Sequence, residues 1–334
     1  MKSEQGFGLL EMLISTVLFL VLLGAILSSF NDAVGLNQKA SQMSDLEQNM
    51  RAGINFMVQD FIQAGWQIPT GGIPIPSGGG AAAVKRPGPP GTNYTFPDIT
   101  LSAVNPGAGL GPVGEGRATD MVNILFADNL LPLNQRTLDS IGANGSSMTV
   151  NAATPITGVP NAISVGDLIA FNNSLGETVQ YVTGVNGQVV SFAAGDPMNL
   201  NQPGALQGSI MQLQNGGVFP PTTATRIWMV TYYLDYTTDP ATPRLIRRIN
   251  NSAGQTVGLV LENLQFSYDL VDGVTNPTNV KGPVAPNSNN QIRKVNIFVS
   301  GRTDAVIRNT NTYLRHSLTT QVSLRSLAFV NRYI

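Results

Sequence analysis

Glu11 is the one charged residue between Phe7 and Phe30. Its neighbours are Leu, Ile, Val, Met and Phe for some 20 positions, about the length a bilayer core requires. Placing a carboxylate in hydrocarbon costs roughly 2.5–3.5 kcal/mol even on lenient scales. A residue that costly needs a partner. Just ahead of it, Gly6-Phe7 invites proteolytic cleavage that would leave the apolar run on the mature chain. No small-x-small cleavage pattern follows Phe30, and the polar leader Met1 to Gln5 is shorter than a secretory leader. A second charged group lies at the other end. From Gln291 onward Arg293, Lys294, Arg302, Arg308, Arg315, Arg325 and Arg332 face one acid, Asp304, and Arg244, Arg247 and Arg248 can join them. Such an excess could meet DNA phosphates or an acidic partner protein. The plainer reading is the solvated face of alternating strands.

Catalysis lacks its parts. His316 is the sole histidine and there is no cysteine, so neither a nucleophilic triad nor a zinc site can be assembled. The aspartates do not follow the spacing of an EF-type calcium loop; calcium held by loop carboxylates and carbonyls stays open. Gly78-Gly79-Gly80 has no following Lys-Ser/Thr pair and is no phosphate loop. No enzyme, no cofactor and no metal are expected.

The element that positions Glu11 is a helix. Met43, Leu46, Met50, Ile54, Met57 and Phe61 recur at steps of three and four, one face of an α-helix. Asp45, Glu47, Gln48, Arg51 and Asp60 are assigned to its other faces. No proline intervenes before Pro69, so one helix is expected from residue 7 to 64, apolar all round over 7–30 and amphipathic beyond. Gly65 is its expected C′ residue. Gly24 and Gly35 weaken it by about 1 kcal/mol each relative to alanine.

With Gly6, Phe7, Glu11 and the apolar run in one register, the N-terminus resembles the class III signal of type IV pilins and pseudopilins. The resemblance implies that prepilin peptidase removes residues 1–6 and methylates Phe7. It also implies that Glu11 neutralises the Phe7 amine of a neighbouring subunit. A buried charge pair is tolerable where a lone charge is not. A plain signal anchor with a stray glutamate is the bland alternative.

The remainder is β-rich. Charged residues are 12% of the chain, against about a quarter in ordinary proteins, with Gly 35, Pro 21 and a net charge of −1. No global pull toward nucleic acid or anionic lipid follows. The stretch 65–118 is Gly/Pro-rich and reads as a long surface loop with at most one short strand. A β-rich head is expected over 119–334, with a small β insertion at about 141–213. Asn186-Gly187 marks a hairpin. Strand runs are expected at 120–126, 226–236, 244–248, 257–269, 292–300 and 314–327. Trp66, Trp228 and Tyr232-Tyr233 read as core or helix-to-sheet packing.

Asp60-Phe-Ile-Gln-Ala-Gly-Trp66, the Tyr-rich strand with Leu245-x-Arg247-Arg248, and the closing hairpin are similar to PilW-type minor pilins and to J-type pseudopilins. Chain length favours the former. The resemblance implies an α+β fold, a long pilin helix packed on a large β-sheet-rich head. It implies a structural subunit that promotes filament assembly in a pilus-priming or tip complex. Its partners would be other minor and major pilins and prepilin peptidase, with single-pass residence in the bacterial inner membrane before assembly and in the pilus afterwards. A type II secretion pseudopilin, or a tip adhesin or DNA-uptake subunit, are the alternatives.

Overall fold

A computed structural model of the chain describes residues 8–114, 116–307 and 311–328. The N-terminal periodicity becomes one helix, α1 (Leu9–Gln63), about 83 Å long at 1.5 Å per residue. It stops where expected. Gly65 takes φ +80° and its N–H donates to Leu125 O at 2.8 Å. A Cβ there would lie 3.0 Å from Leu327 and 3.2 Å from Ala103, so the turn needs glycine both for its left-handed backbone and for close approach.

The segment 67–116, expected as a surface loop, is instead folded into the head. It holds six short strands, β1 (Ile73–Pro74), β2 (Lys85–Arg86), β3 (Tyr94–Thr95), β4 (Thr100–Leu101), β5 (Val104–Gly107) and β6 (Val113–Gly114), and leads into a seventh, β7 (Arg117–Ala118). Ile68, Ile73, Ile75, Val84, Leu101 and Val104 are buried. Glycine and proline forbid long strands here, but not two-residue pairings between turns. The apolar residues spaced between those turns fill the core.

Next come β8 (Met121–Ala127), β9 (Ser140–Ile141), β10 (Ser147–Thr149), β11 (Leu168–Asn173), β12 (Gly176–Tyr181), β13 (Gly184–Asn186) and β14 (Val189–Ser191). The long β15 (Thr223–Asp235), β16 (Arg244–Ile249), β17 (Gln255–Leu259), β18 (Leu261–Leu270), β19 (Ile292–Arg302), β20 (Arg315–Ser323) and the one-turn α2 (Arg325–Ala328) complete the chain. The block 141–213 divides between two sheets. Strands β9, β10, β13 and β14 pair among themselves, while β11 and β12 belong to the sheet of β15.

That main sheet is organised on β15. One of its edges pairs with β8 from Ile227↔Ala127 to Tyr232↔Val122. The other pairs first with β11, from Asn172↔Thr223 to Leu168↔Ile227, then with β16, from Val230↔Ile249 to Asp235↔Arg244. Asn250, at φ +49°, fills the gap between them. Its Oδ1 accepts from Met229 N–H at 2.9 Å and its own N–H donates to Met229 O at 2.7 Å.

The second sheet has the order β18-β19-β20. The run expected as one strand over 257–269 is cut in two by Val260, a β-branched residue at φ +54°. Its carbonyl accepts from Arg302 N–H at 3.1 Å, and the next residue, Leu261, donates to Pro243 O at 3.1 Å. The chain thereby passes from the main sheet to the second one. The run 314–327 also ends early, because Leu324 and Leu327 turn inward, both buried in the core under α1. Strand alternation places Phe266, Tyr268, Val295, Ile297 and Val322 in that core.

Candidate assembly site

Glu11 stands in the first turn of α1. Gly8 is the N-cap, with extended backbone, and its N–H donates to Glu11 Oε2 at 3.2 Å. The carboxylate therefore caps its own helix end, where the helix dipole favours negative charge. Gly6 and Phe7 lie outside the described residues. Behind Glu11, every large apolar side chain from Leu9 to Phe30 is exposed, from Leu23 at 41% to Leu9 at 82%. Two hydroxyls near its start are turned back on the helix: Thr16 Oγ1 donates to Met12 O at 2.6 Å and Ser15 Oγ to Met12 O at 3.1 Å. Such backbonding satisfies a hydroxyl without water. Among the described residues, α1 is the one helix long and apolar enough to cross a membrane. As it stands the segment is a naked apolar rod that must be covered by lipid or by other helices.

The lower half of α1 is covered by the head. Leu46, Met50, Ile54, Met57 and Phe61 are buried against the main and second sheets. Phe61 meets Phe266 edge-on, centroids 6.0 Å apart. Gly53 marks the closest approach: a Cβ there would fall 2.9 Å from Leu245 Cδ2.

Asp60, expected on another face of the helix than the apolar stripe, is buried on this packed face instead. Tyr232 Oη donates to Asp60 Oδ2 at 2.5 Å, and Arg247 grips both oxygens, Nε to Oδ2 at 2.7 Å and Nη2 to Oδ1 at 3.0 Å. Burial, then the carboxylate, push the Tyr232 hydroxyl far above the usual phenol range. The hydrogen bond to Asp60 raises the Arg247 guanidinium. Helix, β15 and β16 are thus locked by one charge-assisted cluster. The sequence did carry a signal for it, since Asp60 follows Met57 by three, the step that defines the buried stripe.

The C-terminal cations are not gathered into one patch. Arg302 is buried and paired with Glu262 at 2.8 Å, its guanidinium 3.7 Å over the Tyr313 ring. Arg315 reaches the same carboxylate at 2.7 Å. Arg293 donates to the carbonyls of Asn290 and Ile292 at 2.6 and 3.0 Å. Lys294 is exposed on β19. Arg308 lies outside the described residues. A phosphate could claim Arg302 only by breaking its pair with Glu262.

Of the aromatic residues expected in the packing, Tyr232 and Tyr233 are buried, and Trp228 is half-buried beneath Arg226, 4.8 Å from its ring. Trp66 is 50% exposed, because the left-handed Gly65 turns the chain away from the helix face. His316 is half-buried on β20. Among the described residues no group of three or more His, Cys, Asp or Glu could hold a metal ion.

Residues 1–27 match the family model described as the prokaryotic N-terminal methylation motif. A prepilin motif at the N-terminus indicates a type IV pilin-like protein. No curated protein and no solved structure matches the chain. The pilin-like motif implies processing by prepilin peptidase and assembly with other pilins. Motif and apolar helix together fit anchoring in the inner membrane before assembly. The long apolar helix followed by a strand-rich head matches an α+β pilin fold.

Proposed function

We propose that this chain is a PilW-like minor pilin, a structural subunit that promotes filament assembly from a priming or tip complex. The observation that carries the reading is the separation of α1 into an uncovered apolar half headed by Glu11 and a half clamped to the head. The first half supplies a surface that other pilin helices can replace lipid on. The second keeps the head rigidly attached while the first is transferred. Removal of residues 1–6 frees an amine at Phe7, and Glu11 of a neighbouring copy is the counter-charge for it. On joining a bundle, Glu11 exchanges its bond to Gly8 for that amine, and two costly charges become one neutral pair. The head spans most of the chain, a bulk that suits a tip better than a crowded shaft.

Mass spectrometry of the mature chain is expected to find N-methylated Phe7 at its start. A start at Met1, or beyond Phe30, overturns the reading. A Glu11→Ala variant is expected to fold, reach the membrane and be missing from sheared pili. Its normal recovery in pili removes the pairing role. A wild-type chain that never enters sheared pili, yet is needed for protein secretion, points to a pseudopilin instead.

A further inference from the structure

The arginines that the head draws inside mostly meet carboxylates. Arg226 pairs with Asp128 at 2.6 Å and Asp167 at 3.2 Å, Arg302 with Glu262 at 2.8 Å, and the half-buried Arg247 with Asp60 at 2.7 Å. Arg86 is different. It is 4% exposed and is held by neutral acceptors only: Asn123 Oδ1, Pro106 O at 2.7 Å and Asn105 O at 2.6 Å. Its guanidinium lies 5.6 Å from the Phe96 ring centroid. Burial pulls it down to about 10, against the opposing influence of Tyr268 and Asp98. A buried cation with no counter-charge is costly, and its field stays unmatched.

Arg86 lines a cavity of about 230 Å³ between the 87–94 loop and the turn after β16. Lys85 and Arg248 line the same cavity, and no carboxylate does. Arg248 is fixed in place by neutral groups, Nε donating to Ser252 O at 2.7 Å and Nη2 to Asn251 Oδ1 at 2.6 Å. Among the described residues none of the three cations makes an ion pair. Thr92, Tyr94 and Asn251 add neutral hydrogen-bonding groups to the wall. Three cationic residues thus line one cavity with no acid among them, and like charges held in one place repel unless an anion joins them.

We propose that this cavity binds a small oxyanion-bearing ligand, of the size of a sugar acid or an inorganic sulfate. Lys85 and Arg248 hold the carboxylate or sulfate in the field of Arg86. The neutral wall groups would discriminate between the two sources of the oxyanion, since only a sugar has hydroxyls to meet them.

The test titrates the full chain in detergent micelles with glucuronate, sulfate and neutral glucose, at constant ionic strength made up with chloride. Binding is read by calorimetry and by the rise in melting temperature that ligand linkage requires. Glucuronate or sulfate is expected to bind and glucose not to. Tighter glucuronate identifies a sugar acid, and tighter sulfate an inorganic or sulfated ligand. The Lys85→Gln/Arg248→Gln variant should bind at least about tenfold more weakly. Lys85→Gln alone, at an exposed side chain, should lose about threefold with an unchanged unliganded melt. The proposal is overturned by failure of both anions to bind at millimolar concentration. Equal affinity in the double variant, or a response that follows anion charge alone, chloride included, overturns it as well.

Discussion

Replacing Asp60 with alanine removes the acceptor at the centre of the helix-to-head clamp. Tyr232 and Asp60 are nearly solvent-free, and the side chain of Arg247 keeps 18% exposure. Breaking a buried pair from one side costs about 3–5 kcal/mol, because a charge is left without its partner. Residual solvent at Arg247 puts that part near 3 kcal/mol, and the orphaned Tyr232 hydroxyl adds about 1–3 kcal/mol. The two overlap, so the expected loss is about 3–5 kcal/mol. At a slope of about 3 kcal/mol/M, the urea midpoint of the full chain in micelles should fall by about 1–1.7 M with the slope unchanged. The triple variant Asp60→Ala/Arg247→Met/Tyr232→Phe is the decisive companion. It strips the charge and the hydroxyl together, so it should recover at least about 2 kcal/mol. A single variant that loses under about 1 kcal/mol, or a triple variant no firmer than the single one, refutes the reasoning. Glu47→Gln breaks the exposed i,i+4 pair with Arg51 and should leave the midpoint where it was.

Four further outcomes are expected. Gly53→Leu should cost about 1–2 kcal/mol in the same urea assay, overpacking against Leu245 outweighing the gain in helix propensity. Gly24→Ala, with no atom within 4 Å of the new Cβ, should leave head stability unchanged. Asn250→Ala should lose about 1–3 kcal/mol and speed hydrogen exchange at Met229 N–H, whose acceptor is removed; unaltered exchange there counts against the role given to Asn250. The Asp272 carboxylate accepts from the N–H groups of Asn276, Val274 and Thr275 and the Thr275 hydroxyl, which hold it down at about 2. Its support of the loop is thus complete above the ordinary aspartate range and lost as pH falls through that low value. Carboxyl NMR should show a midpoint near 2; one near 4, the ordinary value, would mean that the turn does not form.

The polar residues were harder to place from the sequence than the apolar ones. The stripe Leu46–Met50–Ile54–Met57–Phe61 is visible because helical periodicity is a property of neighbours. Asp60 sits inside that stripe, yet its polarity alone points to another face of the helix. Its partners lie 172 and 187 residues further on, and no local pattern announces them. The surface-loop reading of 67–116 failed for a related reason. Glycine and proline report what a segment cannot do alone, and they are silent on where its isoleucines and valines go. The basic C-terminal run likewise lost its apparent unity once Glu262 was found between Arg302 and Arg315.

Local chemistry by itself determined the N-terminal helix of this protein: a carboxylate at the head of an apolar run, an uninterrupted helix, a glycine that ends it. Those features depend on residues within a few positions of each other, so composition and spacing suffice. Tertiary structure alone decided which charges are buried, where Val260 hands the chain from one sheet to the next, and how Arg86 comes to stand uncompensated beside Lys85 and Arg248. Each of these is set by groups distant in sequence, and only the folded packing brings them together.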